Sequence, residues 1–381
     1  MANTPPIAVV GGGLGGVTAA LLLQRHGYNC HVYEQASRIT RVGAGINLYP
    51  NGTRVLKHLG LDKPLTEVGL QHKAKLSRDF DTGRITYQID CQTLTDLYGA
   101  PCATIHRGDL AEILTSALLP GTLHLGKELT GLEDRGQDVR LTFADGSTEI
   151  ADFVIGADGV NSKVREILLG PEEPIYSGDV VYRGLFPIEL LDGFKPEDHC
   201  KWWYDTWRYV IIYYISASRK EAYFIAGSRE AVWGQSTFAP RQVSSKHLMD
   251  LYRDFHPNVA RVLKAAPEVN RWPILERPPL PLWSRGRIVV LGDACHPMKP
   301  FMGQGGSIAL EDAAMFARCL HETGPGDFRT AFLLYEANRA DRTRRVQDES
   351  RKGDWTRYEM DHEWVLGYDP FTVPLVEPKT R

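Results

Sequence analysis

The chain has 381 residues, 43% of them hydrophobic and 24% charged, with a formal net charge of -3. That length and composition suit a soluble globular protein with room for two closely packed domains, and the scattered Lys and Arg form no basic stripe of the kind a nucleic-acid backbone requires. The six cysteines make no CxxC pair and no Cys/His cluster at metal-ligand spacing, so no metal is expected. No run approaches the roughly 18 apolar residues of a membrane span, and residues 1–16 do not read as a secretion signal. The expectation is a cytoplasmic protein with reduced thiols, monomeric or homodimeric, acting on small molecules.

In chain order, Ile7-Ala8-Val9-Val10 is a short β-branched strand that meets Gly11-Gly12-Gly13-Leu14-Gly15-Gly16 and passes into Val17–Gln24, whose composition suits a buried helix. His31-Val32-Tyr33-Glu34 reads as the next strand and ends in an acid 23 positions after Gly11, where a carboxylate receives the ribose hydroxyls of an ADP moiety. Val139–Phe143, an Asp145-Gly146 turn and Thr148–Ile155 read as a hairpin leading into Gly156-Ala157-Asp158-Gly159. From about Val180 to Ile274 the runs Lys201–Tyr204, Tyr209–Tyr214 and Ala222–Ala226 are aromatic and β-branched, the texture of an antiparallel sheet. A proline-rich return, Pro273–Pro281, leads to a buried parallel strand at Arg287–Leu291 and then to Gly292-Asp293-Ala294-Cys295-His296-Pro297. Helix is expected from about Ser307, a long amphipathic helix from Phe328 to about Lys352, and an irregular tail after His362.

Glycines at 11, 13 and 16 permit a tight turn, close approach of backbone to pyrophosphate and close helix packing, and the helix N-terminus offers free N–H groups to a phosphate. This fingerprint alone leaves NAD and FAD open. Asp293 at a strand end can accept from ribityl hydroxyls, and Gly303-Gln304-Gly305-Gly306 opens a helix whose amides stabilise negative charge at the N1/C2=O edge of a reduced flavin. Together the three signatures point to FAD.

On these residues, with His106-Arg107-Gly108-Asp109-Leu110, Asp158-Gly159 onward to Arg165 and the run from Gly292 to Pro297, the chain resembles the group A flavoprotein monooxygenases, the para-hydroxybenzoate and salicylate hydroxylase family, over essentially its whole length. The resemblance implies an α/β fold: a Rossmann-like FAD-binding domain (residues 1–73, 99–175 and 276–325), an antiparallel β-sheet substrate domain (74–98 and 176–275) and a C-terminal helical segment (326–381). It implies FAD as cofactor, NADH or NADPH as reductant with NADH favoured, O2 and a small aromatic substrate, and oxygen insertion through a flavin hydroperoxide. The FAD contacts expected are Gly11, Gly13, Leu14, Gly16, Glu34 and Gln35, then Arg41 and Gly45 in a loop approaching the flavin ring, then Arg107, Asp158, Asp293, Pro300, Gly303, Gly305 and Gly306. For Arg107 a helix-capping role, and for Asp158 a bracing role in its turn, stay open as alternatives.

Within that family Ala44-Gly45-Ile46, Pro50-Asn51, Cys200-Lys201-Trp202-Trp203, Tyr213-Tyr214, Pro281–Arg287 and Trp364–Tyr368 resemble the hydroxypyridine-carboxylate hydroxylases, which exchange a ring carboxylate for hydroxyl with loss of carbon dioxide. Asn47, Tyr209 and Phe301 stand where nicotinate-type members are expected to carry pocket histidines, which implies a differently substituted ring. 6-Hydroxypicolinate and 6-hydroxynicotinate rank level as substrates, each giving 2,5-dihydroxypyridine; salicylate-type benzoates come next, and the remaining alternatives are a flavin reductase or dehydrogenase that does not activate O2 and, more weakly, a non-enzymatic flavoprotein sensor. Tyr213, Tyr209 and Asn47 are the candidate catalytic residues, with Tyr213 first for the substrate hydroxyl. Cys200, Arg208 and Phe301 are the candidate substrate contacts, Arg183 a second arginine for the carboxylate, and Lys299 a further anion contact.

Overall fold

The computed structural model describes residues 5–41, 45–191, 193–234, 237–324, 326–353 and 361–378, with backbone only at 201 and 202. Residues 42–44 of the expected flavin loop, Lys201 and Trp202 as side chains, and parts of the C-terminal segment lie outside that description.

Two large sheets organise the chain. The first has six strands in the order Ser284–Arg285, Ile288–Val290, Val154–Gly156, Ile7–Val10, Cys30–Glu34 and Leu123–Leu125. Its pairings are parallel except at the Ser284–Arg285 edge, and its central strands are buried, as their continuous apolar runs require. The helices Leu14–Arg25 and Gly305–Thr323 pack against each other in the same core. The three glycine signatures follow adjacent strands of this sheet, so residues nearly 300 apart in sequence emerge from its same edge. That is the edge where α/β sheets bind ligands.

The second sheet has eight strands: Arg241–Val243, Val269–Glu276, Ile175–Pro187, Glu221–Arg229, Tyr209–Tyr214, His199–Tyr204, Ala74–Asp79 and Ile85–Asp90. All its pairings are antiparallel save one, since His199–Tyr204 runs parallel to Ala74–Asp79. Its inner face carries Cys200, Tyr209, Ile211, Tyr213 and Tyr223 in one cluster, as period-two alternation places residues 209, 211 and 213 together. The small sheet Gly45–Leu48, Ala103–His106 and Leu70–Gln71 lies where the two meet.

Phe328–Lys352 is one helix, begun by Asp327, whose carboxylate accepts from the Thr330 N–H, and ended at Gly353 with φ 73. Its buried residues, among them Phe332, Tyr335 and Arg339, face the helix Gly305–Thr323. Three expectations need correction. The strand read as Thr148–Ile155 is two strands, Thr148–Ala151 and Val154–Gly156, because the chain leaves a three-stranded hairpin sheet there and enters the parallel one. The aromatic sheet is not wholly antiparallel, and the tail holds a short helix, Glu363–Leu366. No helix among the described residues is long and apolar enough to cross a membrane.

Candidate active site

A cavity of about 290 Å³ opens between the two sheets. One wall is main chain: Gly13, Leu14, Ala157, Gly159, Gly292, Gly303, Gly305 and Gly306 line it. Gly11 sets the turn beneath, at φ 109, with a Cβ there reaching only 2.4 Å from the Ala157 carbonyl oxygen. Gly16 lets the helix approach the strand, since its Cβ would lie 2.1 Å from the Gly11 oxygen. Gly13 by contrast has nothing among the described residues within 4 Å of an added Cβ.

Two helices, Leu14–Arg25 and Gly305–Thr323, begin at this wall with no side-chain cap, leaving their first N–H groups turned to the cavity. Asp293 presents its carboxylate to the same void while protein encloses it otherwise. It is therefore exposed to the cavity rather than to bulk solvent, and burial holds its pKa above the usual carboxylate range despite His296 and Arg107. Glu34 accepts from Gly12 N–H at 2.7 Å and Ala36 N–H at 2.8 Å, which orients it at the strand end with lone pairs to spare. Open amide termini, a glycine-lined cradle and an enclosed carboxylate fit an ADP-linked flavin.

Other expected FAD residues brace rather than line this wall. Asp158 accepts from Ser162 Oγ and from Val164 N–H at 3.0 Å, holding its own loop. Arg165 then donates to the Ala294 and Val160 carbonyls at 3.0 and 2.8 Å, tying two signature loops together. Arg41 is engaged by Asp109 and Glu221 at 2.8 and 2.7 Å, and Gln35 is exposed. Arg107 and Pro300 do line the cavity. Behind the helix Gly305–Thr323, Arg339 is fully buried between Glu311 and Asp312, both at 2.7 Å, and Asp312 also meets His296 Nε2 at 2.5 Å.

The opposite wall is side chain: Asn47, Arg183, Ile211, Tyr213, Tyr223 and Ile225, with Gly45 at its edge. Tyr213 is 1% exposed and donates to the Gly45 carbonyl at 2.9 Å; burial pushes its pKa well above 10.0. Tyr223 pairs with it across the strands and meets its ring edge-on at 5.6 Å between centroids. Among the described residues the Tyr223 hydroxyl is buried without a partner, and burial pushes its pKa up to about 12. Arg183 Nε is likewise buried and has no hydrogen-bond partner among the described residues, and the arginine's charge acts on Tyr209, Tyr213 and Tyr223.

The structure separates the expected substrate residues into groups. Tyr213 and Asn47 reach the main cavity. Tyr209, Phe301 and Arg208 line a smaller one of about 90 Å³ beside it, with Lys299 on both. The rings of Tyr209 and Phe301 meet edge-on at 5.6 Å there. Arg208 is bound to Asp205 and Asp254, both at 2.6 Å, so its guanidinium serves the fold. Cys200 is buried beneath the aromatic cluster and lines neither cavity. Tyr223 and Lys75, which holds Asn47, were not singled out from the sequence; Tyr223 shows only through its register with Tyr213.

A two-sheet protein with an amide-lined dinucleotide cradle facing an aromatic chamber defines the class of FAD-dependent monooxygenases, and this chain is one. It belongs to the FAD binding domain family, whose model matches residues 4–350. It is 46% identical to 6-hydroxynicotinate 3-monooxygenase of Pseudomonas fluorescens, over 100% of this chain and 99% of that protein. Klebsiella pneumoniae HpxO, solved with FAD and uric acid, superposes with a TM-score of 0.81 at 28% identity, covering 94% of this chain and 90% of that one. Salicylate hydroxylase in a substrate complex gives 0.82 at 22% identity over 97% of each chain, a likeness of fold.

Proposed function

We propose that the enzyme hydroxylates a hydroxypyridine carboxylate, 6-hydroxynicotinate or 6-hydroxypicolinate, at the ring carbon para to its hydroxyl, which bears the departing carboxylate in 6-hydroxynicotinate and adjoins the carbon that loses it in 6-hydroxypicolinate. NADH or NADPH and O2 are consumed, and 2,5-dihydroxypyridine, carbon dioxide and water are released. The observation that carries this reading is the presence, on a wall facing the flavin cradle, of a buried Arg183 Nε and a Tyr223 hydroxyl that have no hydrogen-bond partner among the described residues. A flat anion with a ring hydroxyl satisfies both groups, and such groups are costly to leave unmet. The full-length likeness to an enzyme named for 6-hydroxynicotinate supports the same substrate class.

FAD held at the cradle lined by Gly13, Leu14, Gly303, Gly305 and Gly306 would supply the redox chemistry that activates O2, one of whose atoms enters the ring and the other leaves as water. The chain's own part is orientation. Tyr213 has its proton committed to Gly45 O, so its Oη faces the ligand as an acceptor and receives the ring hydroxyl. Its raised pKa keeps it a phenol, which excludes a free tyrosinate as base near neutral pH. Arg183 holds the carboxylate, the role first sought in Arg208, through charge-assisted hydrogen bonds. Ile211 and Ile225 exclude water from the ring's apolar faces.

NADH oxidation, oxygen uptake and carbon dioxide release measured against hydroxypyridine carboxylates and hydroxybenzoates test the reading. One ring acid should give all three in equal amounts. Rapid NADH oxidation yielding only hydrogen peroxide with every ring acid overturns it.

A further inference from the structure

Lys75 lies in the strand Ala74–Asp79, in register with Cys200 of the neighbouring strand, and is 1% exposed. Its ammonium donates to Asn47 Oδ1 at 2.9 Å and sits 3.8 Å from the centroid of the Tyr49 ring. Among the described residues it makes no ion pair with a carboxylate. Burial opposes its charge, but the Tyr49 phenol and the thiols of Cys200, Cys102 and Cys91 around it favour the ammonium, whose pKa lies above the ordinary lysine value.

An ammonium can only donate. The Asn47 amide therefore has one admissible orientation, carbonyl toward Lys75 and NH2 away from it, and Asn47 lines the main cavity. A carbonyl polarised by a buried cation makes its own NH2 group a stronger donor, because the low-dielectric interior strengthens each link of such a chain. The charge is thus delivered to the cavity through the amide, with Lys75 itself out of reach of any ligand.

We propose that Lys75 and Asn47 act as one unit that recognises an anionic oxygen of the ring acid. Asn47 Nδ2 donates to that oxygen, and Lys75 is the positioning residue that fixes the amide and supplies the positive charge. This inference rests on the reading of the cavity as a ring-acid site. It adds a second anion contact, with Lys75 on the opposite side of Tyr213 from Arg183 in the strand order of the large sheet, and makes a lysine that does not touch the ligand part of the recognition of its anionic oxygen.

The test is a titration of the FAD-loaded enzyme with 6-hydroxynicotinate, 6-hydroxypicolinate and the neutral carboxamide 6-hydroxynicotinamide, followed by flavin absorbance. Lys75→Met and the near-isosteric Asn47→Asp should each raise the Kd of the ring acid at least tenfold, with FAD content and Tm kept. If carboxamide affinity is untouched in both, the recognised oxygen is the carboxylate; if it falls equally, the oxygen is the ring oxide, and either result supports the unit. A role confined to packing predicts ring-acid Kd values within twofold of wild type, and that result overturns the inference alone. So does loss of FAD from Lys75→Met accompanied by unchanged ring-acid binding in Asn47→Asp. A wild-type enzyme whose flavin spectrum responds to no ring acid overturns the cavity reading and this inference with it.

Discussion

The two walls of the cavity are made of different material. The cofactor side is built from backbone, with glycines, uncapped helix starts and one enclosed carboxylate. The sheet side is built from side chains, Tyr213, Tyr223, Arg183 and Asn47, brought together from four strands. Backbone recognition demands the absence of a Cβ at fixed spacings, so it tolerates little change and suits a ligand common to a whole family. Side-chain recognition can be rewritten one residue at a time without disturbing the fold, which suits a variable substrate. The difference predicts that changes on the first side cost cofactor or stability, and changes on the second cost affinity or turnover with the flavin retained.

The largest effect is expected behind the cofactor wall. Arg339→Met leaves Glu311 and Asp312 buried without their shared cation and should cost about 3–5 kcal/mol of stability, read from chemical denaturation. Burial alone raises both carboxyls, but Arg342 and Arg339 hold Glu311, and His296 and Arg339 hold Asp312, below their ordinary values. Their stabilisation is thus complete above the unfolded-state values of 4.5 and 3.8 and is lost as pH falls through the depressed native ones. The acid-unfolding curve of Arg339→Met should accordingly be flatter in that range than that of the wild type.

Next comes Gly11→Val, which forces a β-branched residue to φ 109 against the Ala157 carbonyl. FAD affinity should fall roughly 50-fold, about 2–3 kcal/mol, measured as flavin retained through gel filtration. A variant that keeps its yellow colour at wild-type levels would erase the distinction between the walls, because the backbone side would then be as forgiving as the other.

That contrast also explains how much could be read in advance. The glycine signatures, the strands beneath them and the helix Phe328–Lys352 were legible because backbone geometry constrains neighbouring residues in a fixed order. The sheet wall was legible only in texture. Arg183 and Arg208 look alike in sequence, each beside an aromatic strand residue; Asp254, 46 positions further on, takes Arg208 into the fold and leaves Arg183 for the cavity. Tyr209 and Tyr213 do share a face, yet Tyr209 opens on the smaller cavity with Phe301. Asn47 was visible as a polar pocket residue, but its cationic partner Lys75 lies in a strand whose pairing no local pattern fixes.

On the sheet side, Arg183→Met should raise the Kd of the ring acid about 30-fold, roughly 2 kcal/mol, with FAD content unchanged, as removal of a charge-assisted contact does. Loss of flavin in that variant would show that the arginine serves the cofactor. Tyr213→Phe removes a hydroxyl that bridges Gly45 O and the ligand, so kcat should fall about tenfold while the reduction rate without substrate is unchanged. An equal fall in both rates would place the tyrosine with the cofactor.

The smallest effect sharpens the boundary between the walls. Arg41 joins the helix residue Asp109 to Glu221 of the large sheet, so it links the two halves, but its side chain is 43% exposed. Water and salt screen such pairs, and exposed ion pairs contribute about 0–1 kcal/mol. Arg41→Ala should therefore shift stability by no more than that, with the shift vanishing in high salt, and leave flavin content and ring-acid Kd within twofold of wild type. A tenfold loss of FAD instead would mean that Arg41 acts on the cofactor, and that the amide-lined wall relies on a side chain after all.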